Sequence, residues 1–149
     1  MEKTEQLRQW IRRLFAEQRL GVLSTQQGGQ PYASLVAVAG SRDLRAIYFA
    51  TPRSTRKFAY LSDNPRVAML INSSANEAAD IRKAMAVTAL GAALALEGAD
   101  RRRAVPVYLQ RHPHMADFIS APTTALVQIE VARYILVRRF QNVMELHLN

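Results

Sequence analysis

Apolar side chains first recur at intervals of three and four residues. Leu7, Trp10, Ile11, Leu14 and Phe15 form one stripe, with Arg8, Arg12, Arg13 and Glu17 opposite. That spacing predicts an amphipathic helix over residues 2 to about 19, with Trp10 as a core or interface anchor. The period then drops to two. Leu20–Thr25 is a short apolar run, Gln27-Gly28-Gly29-Gln30 is a turn, and Pro31–Ala39 is a second run, together a hairpin. After the polar break Gly40-Ser41-Arg42-Asp43, Arg45–Ala50 reads as a third strand, rich in the β-formers Ile47, Tyr48 and Phe49.

Ser54–Leu61 predicts a short helix that Asp63-Asn64-Pro65 stops, since a residue before proline is pushed out of the helical region. Arg66–Asn72 is a strand. A polar loop, Ser73–Asp80, leads to a long apolar strand at Met85–Glu97. A helix should open at Gly98-Ala99-Asp100, capped by Asp100 and running toward Gln110, with Pro106 bending or delaying it. His112-Pro113 begins a short helix to Ile119, and Thr124–Val131 and Tyr134–Phe140 read as two closing strands. No repeat or linker interrupts the chain, so residues 1–149 are expected to form one domain. This order is neither a strand–helix alternation nor a sandwich; it predicts a mainly antiparallel β-barrel with peripheral helices.

Composition narrows the chemistry. The 149 residues are 49% hydrophobic and 21% charged, as in an ordinary folded domain. There is no cysteine, which excludes disulfides, a thiol nucleophile and thiolate zinc sites. No apolar run approaches the ~20 residues that span a bilayer. The opening MEKTEQLRQWIRR lacks the apolar core of a signal peptide, so a cytoplasmic protein without membrane contact is expected. The net charge of +8 comes mainly from arginine, the only lysines being Lys3, Lys57 and Lys83. Such an excess suits anionic ligands or follows from coding bias. Aromatics are only 7% and no nucleic-acid motif is present, so nucleic acid is not expected as a partner.

The segment Ala50-Thr51-Pro52-Arg53-Ser54-Thr55-Arg56-Lys57 carries the clearest chemistry. Ser54 can cap the following helix, which puts Arg56 and Lys57 in its first turn. Cations there oppose the positive end of the helix dipole, at roughly 0.3–1 kcal/mol each when exposed. Two readings remain open: a solvated basic helix end, or a site where hydroxyls, free N–H groups and cations converge on a phosphate. Elsewhere the signals are weaker. His112 and His114 are two apart and point to different faces of a helix, which is poor geometry for one metal. Arg101-Arg102-Arg103 reads as a solvated face. Glu77, Asp80 and Glu97 show no acid–base pairing, and no hydrolase elbow or Gly-rich phosphate loop occurs. No metal site and no catalytic residue is assigned.

Four stretches lie in a familiar order: Pro31-Tyr32-Ala33-Ser34-Leu35-Val36, Tyr48-Phe49-Ala50-Thr51, Ser54-Thr55-Arg56-Lys57 and Asn64-Pro65-Arg66-Val67-Ala68-Met69-Leu70. Their spacing resembles the pyridoxamine 5'-phosphate oxidase-like family, most clearly over residues 15 to 95. The resemblance implies the FMN-binding split barrel. It implies that Thr51, Arg56 and Lys57 hold the FMN phosphate, and that the strand from Ser34 through Leu35, Val36, Ala37 and Val38 to Ala39 lies along the flavin, partly through its backbone; Ala50 and Ser54 are the further cofactor-binding candidates. It implies a homodimer with the flavin between subunits, and an oxidoreductase acting on a small molecule. A non-enzymatic flavin or heme carrier or sensor is the alternative, with His147 as the candidate heme ligand; a deazaflavin would suit the same basic site. The chain departs from the vitamin-processing enzymes at Ala39, where they resemble one another in having a lysine, and at Ala86, near a flavin-contacting glutamine. It also ends at Asn149 without their arginine- and tryptophan-bearing closing segment, so vitamin B6 oxidation is not expected.

Overall fold

The computed structural model describes residues 2–139 and 141–148. Helix α1 (Glu2–Glu17) leads into the hairpin of β1 (Leu20–Gln27) and β2 (Gln30–Gly40). At its turn Gly28 and Gly29 have φ of 57° and 83°, two successive positive values that a type I′ turn needs and glycine adopts freely. There follow β3 (Ala46–Pro52), α2 (Arg56–Asp63), β4 (Arg66–Asn72), the single turn α3 (Asp80–Lys83) and β5 (Ala86–Ala95). Helix α4 (Gly98–Arg111), a 3-10 turn at Pro113–Met115 and α5 (Ala116–Ser120) precede β6 (Thr124–Arg138) and β7 (Asn142–His147).

Every strand pairing is antiparallel, in the order β3-β2-β1-β4-β5-β6-β7. Because β3 also pairs with β6, strands β1 to β6 close into a barrel and β7 extends β6 outside it. This is the expected fold class. Closure removes most of the free edge that an open sheet would expose, leaving the outer edge of β7 and part of one edge of β2.

The period-two alternation sorts side chains into two cores. Leu23, Val38, Ile47, Phe49, Met69, Val87, Val127 and Ile129 fill the barrel, and Leu7, Ile11, Leu14 and Phe15 of α1 drop into the same cluster. The opposite faces of β2, β3 and β6 contribute Ala39, Tyr48, Ala50 and Leu126 to a smaller core, where Ala104 and Tyr108 of α4 and Ile119 of α5 pack. Gly40 lets α1 approach, because a Cβ there would stand 2.9 Å from the Phe15 ring.

The two closing strands expected at Thr124–Val131 and Tyr134–Phe140 are a single strand, β6; Phe140 lies outside the described residues. Inward residues Val131 and Tyr134 are three apart, a slip in the alternation that reads as a break. The slip is a β-bulge: Gly91 pairs with Val131 and Leu90 with Arg133, so Ala132 is the extra residue. Gly91 is required opposite it, since a Cβ would fall 2.1 Å from the Glu130 carbonyl oxygen. The bulge also divides the labour of β6, which pairs with β3 before it and β7 after it.

Three other expectations are corrected. Helix α4 is not delayed by Pro106: it begins at Gly98 and runs through the proline, because Ala104 and Tyr108 are buried against the barrel and tertiary packing outweighs the lost hydrogen bond. Glu97, not Asp100, precedes its first residue, and no side chain caps it. The loop before β5 contains α3, a helix of 4 residues too short to leave a periodic signal.

Candidate cofactor site

The ladder between β2 and β3 is short. It consists of Val38↔Phe49, Ala39↔Tyr48 and Gly40↔Ile47, so residues 30–37 of β2 pair only with β1. Beyond Val38 the barrel is split. Backbone groups of a strand point alternately to its two edges, and the register puts those of Ala33, Leu35 and Ala37 on the edge facing β3. The open edge has a local cause: continued in register, Leu35 would meet Pro52, which has no N–H to offer.

At the end of β3 the chain turns into α2. The Thr51 side chain is buried, and its hydroxyl lies 2.9 Å from that of Thr55. The Thr55 oxygen accepts from Phe58 N at 3.3 Å, and Ala59 N donates to the Thr55 carbonyl at 3.1 Å. Thr55 is thus the N-cap, in place of the expected Ser54, which is exposed. Of two adjacent hydroxyls, the one with extended backbone at the helix boundary, φ −79° and ψ 156°, takes the role. Four N–H groups open any helix without intrahelical partners. The Thr55 hydroxyl satisfies that of Phe58, the N–H of Thr55 itself donates to the Pro52 carbonyl at 3.2 Å, and those of Arg56 and Lys57 remain at the mouth.

No acidic residue stands in the first turn of α2. The Arg56 guanidinium lies over the Tyr32 ring at 5.4 Å from its centroid, and Tyr32 meets Tyr60 edge-on at 5.7 Å. Arg53 pairs with Glu97 at 3.3 Å while its guanidinium lies 5.7 Å from the centroid of the Phe58 ring. Arg56 therefore hangs above β2 at Tyr32, two residues before Ser34 on the same strand face. The Ser34 hydroxyl is buried and has no hydrogen-bond partner among the described residues. A buried hydroxyl without a partner costs about 1–3 kcal/mol, and a ligand oxygen would recover it.

The site residues expected from the sequence therefore take three positions. Arg56, Lys57 and Ser54 sit at the α2 mouth. Ser34, Val36 and Val38 lie on the inner face of β2, while Leu35 and Ala37 lie on its outer face, Leu35 being 64% exposed. Ala50 stands across the split on β3. Thr51 is sealed beneath, so it braces Thr55 and offers no free hydroxyl to a phosphate. Ala39 is covered by the α4 core and faces away from the split. An anionic cofactor fits this donor set: a phosphate against Arg56, Lys57 and their N–H groups, and a planar ring system along the open edge of β2.

Two residues that sequence reasoning did not place here hold the wall of the site. The Tyr108 hydroxyl donates to the Ala37 carbonyl at 3.1 Å, and His112 Nε2 lies 2.8 Å from the Val38 carbonyl. A carbonyl only accepts, so Nε2 carries a proton and donates. Burial holds the His112 pKa below its usual value, and Arg111, His114 and Arg19 push the same way. His114 is exposed, and among the described residues no group of three metal-ligating side chains occurs. His147 sits on β7, 3.2 Å from the Glu145 carboxylate. No helix among the described residues is long and apolar enough to cross a membrane.

The model of the family described as pyridoxamine 5'-phosphate oxidase matches residues 4–138. No curated protein matches the chain. Among solved structures, the heme binding protein from Mycobacterium smegmatis has a TM-score of 0.78 at 20% identity, over 89% of this chain and 54% of that one. The chain thus spans about half the length of that relative. A putative pyridoxamine 5'-phosphate oxidase from Listeria innocua has a TM-score of 0.69 at 16% identity, covering 88% of this chain and 98% of that one. An FAD-binding protein from Mesorhizobium loti has 0.66 at 17% identity, over 84% and 89%. At these identities the likeness is one of fold.

Proposed function

We propose that this chain, which belongs to the pyridoxamine 5'-phosphate oxidase family, binds FMN in the split between β2 and β3. The observation that carries the reading is the α2 mouth: Arg56 and Lys57 with no acidic neighbour in their turn, beside the unladdered edge of β2 and the unpartnered Ser34 hydroxyl. Arg56 and Lys57 would hold the phosphate, Ser34 a ribityl or phosphate oxygen, and the Leu35 backbone a polar edge of the ring. Family membership supports a flavin, and the helix mouth favours one with a terminal phosphate. When bound, FMN supplies electron or hydride transfer, and this chain's own residues orient it and limit solvent access. The protein is then an oxidoreductase for a small molecule.

A second copy of the chain completes the site. Leu35, Val22 and Leu70 are cross-strand neighbours on the outer face of β2, β1 and β4, and Leu35, Leu20 and Leu70 on that face are 64%, 51% and 37% exposed. A groove of about 880 Å³ continues this face and is lined by Leu90, with Arg66 and Glu130 as opposite charges. An apolar face with both charges at its rim suits a two-fold contact, where each patch meets its own copy. Leu35 belongs to both the split and the face, so the partner would roof the cofactor.

Equilibrium titration with FMN and with riboflavin, followed by flavin fluorescence, tests the reading. FMN should bind at least about tenfold more tightly, the worth of one charge-assisted hydrogen bond. Light scattering should report the mass of a dimer. A protein that binds neither flavin, or both alike, ends the phosphate assignment.

A further inference from the structure

The β2–β3 register stops one rung short of where it has room to continue. Val38↔Phe49 is the last pair, and the same register would next oppose Ala37 and Ala50. Since Ala39 and Tyr48 point their backbone groups at each other, so would these two, as a hydrogen-bonded pair. Neither residue is proline. Something other than Pro52 holds the strands apart at this rung.

The Tyr108 hydroxyl occupies it. It donates to the Ala37 carbonyl at 3.1 Å, and its own oxygen faces the Ala50 backbone N–H. One side-chain hydroxyl thus stands between the two groups that would otherwise bond directly. Tyr108 is fully buried, on the opposite strand face from the barrel core, and its chemistry suits the task because one hydroxyl both donates and accepts. One helical turn on, His112 reaches the Val38 carbonyl, which faces the other edge of β2, where Val38 N donates to the Arg19 carbonyl. Helix α4 thus grips β2 on both edges at the point where the split begins.

We propose that Tyr108 is a wedge: its hydroxyl replaces the Ala37–Ala50 rung and fixes the width of the slot that receives the flavin ring. It is a positioning residue, touching backbone and not ligand, and the inference rests on the flavin reading given above. Removing the hydroxyl lets Ala50 N–H meet the Ala37 carbonyl directly, which draws β3 toward β2 and narrows the slot from its closed end. The phosphate grip at α2 is left untouched. The loss should therefore fall on the ring, equally for FMN and riboflavin.

The experiment is Tyr108→Phe in the full chain, titrated with both flavins, beside Arg56→Ala/Lys57→Ala. The wedge predicts that Tyr108→Phe weakens both flavins about tenfold or more and leaves their affinity ratio as in the parent. The helix-mouth variant should instead lose FMN selectively. Parent-like affinity of Tyr108→Phe for both flavins overturns the wedge while leaving the flavin reading in place. A parent that binds neither flavin overturns the reading itself. Should Tyr108→Phe not fold, NMR of the flavin-free parent decides: a slowly exchanging Tyr108 hydroxyl proton with a cross-peak to the Ala50 amide is expected. A direct hydrogen-bond coupling from Ala50 N–H to the Ala37 carbonyl would refute the proposal.

Discussion

Helices α2 and α4 both begin with arginine in the first turn, yet the two starts are built oppositely. At α4, Asp100 stands in the first turn and pairs with Arg103, and Arg101 folds back to donate to the Ile119 carbonyl at 2.7 Å. Arg101 is half-buried, while Arg102 and Arg103 are exposed, Arg103 against the Asp100 carboxylate and Arg102 to solvent. At α2, Arg56 and Lys57 have no carboxylate in the turn, and the cap is the neutral Thr55. The α4 run is largely internally answered and the α2 pair is not. A charge run in sequence does not distinguish these cases; the difference lies in which carboxylates and carbonyls the fold brings to each helix start. The uncompensated start is the one beside the open edge of β2.

The strongest way to break the comparison is to remove the cations from each helix in turn. Arg56→Ala with Lys57→Ala deletes two charge-assisted contacts, each worth about 1.5 kcal/mol at the low end. FMN affinity should fall about a hundredfold, to the level of riboflavin, with the thermal midpoint of the flavin-free protein unchanged or raised, because the dipole opposes these charges. Arg102→Ala at α4 should leave FMN affinity as it was. Equal losses from both variants would show that bulk charge, not the α2 mouth, attracts the ligand.

Much of this contrast was legible before the fold was known. The switch from a period of three to four residues to a period of two located α1 and the first three strands, and the Arg56-Lys57 pair stood out because it sits at the unfavourable end of a helix. What stayed hidden works at long range. Tyr108 and His112 act through carbonyls 71 and 74 residues earlier in the chain, and each looks in sequence like an ordinary core or loop residue. Ser34 is notable only because nothing meets its hydroxyl, which is a property of the folded chain. The Val131–Tyr134 slip was visible, but alternation alone does not separate a bulge from a break; Gly91 on the neighbouring strand does. Thr51 and Thr55 were both in view as hydroxyls, and only the packing shows that one braces the other.

The opposite end of α4 offers a second, smaller test. A cation at a helix C-terminus is favoured by the dipole, whereas burial disfavours charge. At His112 burial prevails, with Arg111, His114 and Arg19 adding repulsion, so the folded pKa lies below the ordinary value of 6.5. The unfolded chain then binds more protons between those two values. The stabilising contribution is fully present above about pH 6.5 and is lost as pH falls toward the folded pKa, at no more than about 1.4 kcal/mol per pH unit. Urea denaturation across pH 5–7 should show an acid-side slope in the parent that His112→Gln, which keeps a donor for Val38, does not share. A parent more stable at pH 5 than at pH 7 would mean that the dipole outweighs burial.

The finest distinction between the two helix starts is the cap itself. Thr55→Ala removes the acceptor of Phe58 N and the neighbour of the buried Thr51 hydroxyl, so a loss of about 1 kcal/mol is expected in chemical denaturation. Thr55→Ser keeps the oxygen and should recover most of it. The matching change at α4, Glu97→Ala, removes no cap, because no side chain caps that helix; it breaks only the exposed contact to Arg53, worth a few tenths of a kcal/mol. If Thr55→Ala also weakens FMN binding while Thr55→Ser does not, the cap fixes the direction in which Arg56 and Lys57 present their N–H groups. If stability falls and affinity does not, the side-chain cations alone carry the phosphate. Either outcome locates the grip on the phosphate more finely than removing Arg56 and Lys57 together, because it changes the helix start without touching its charge.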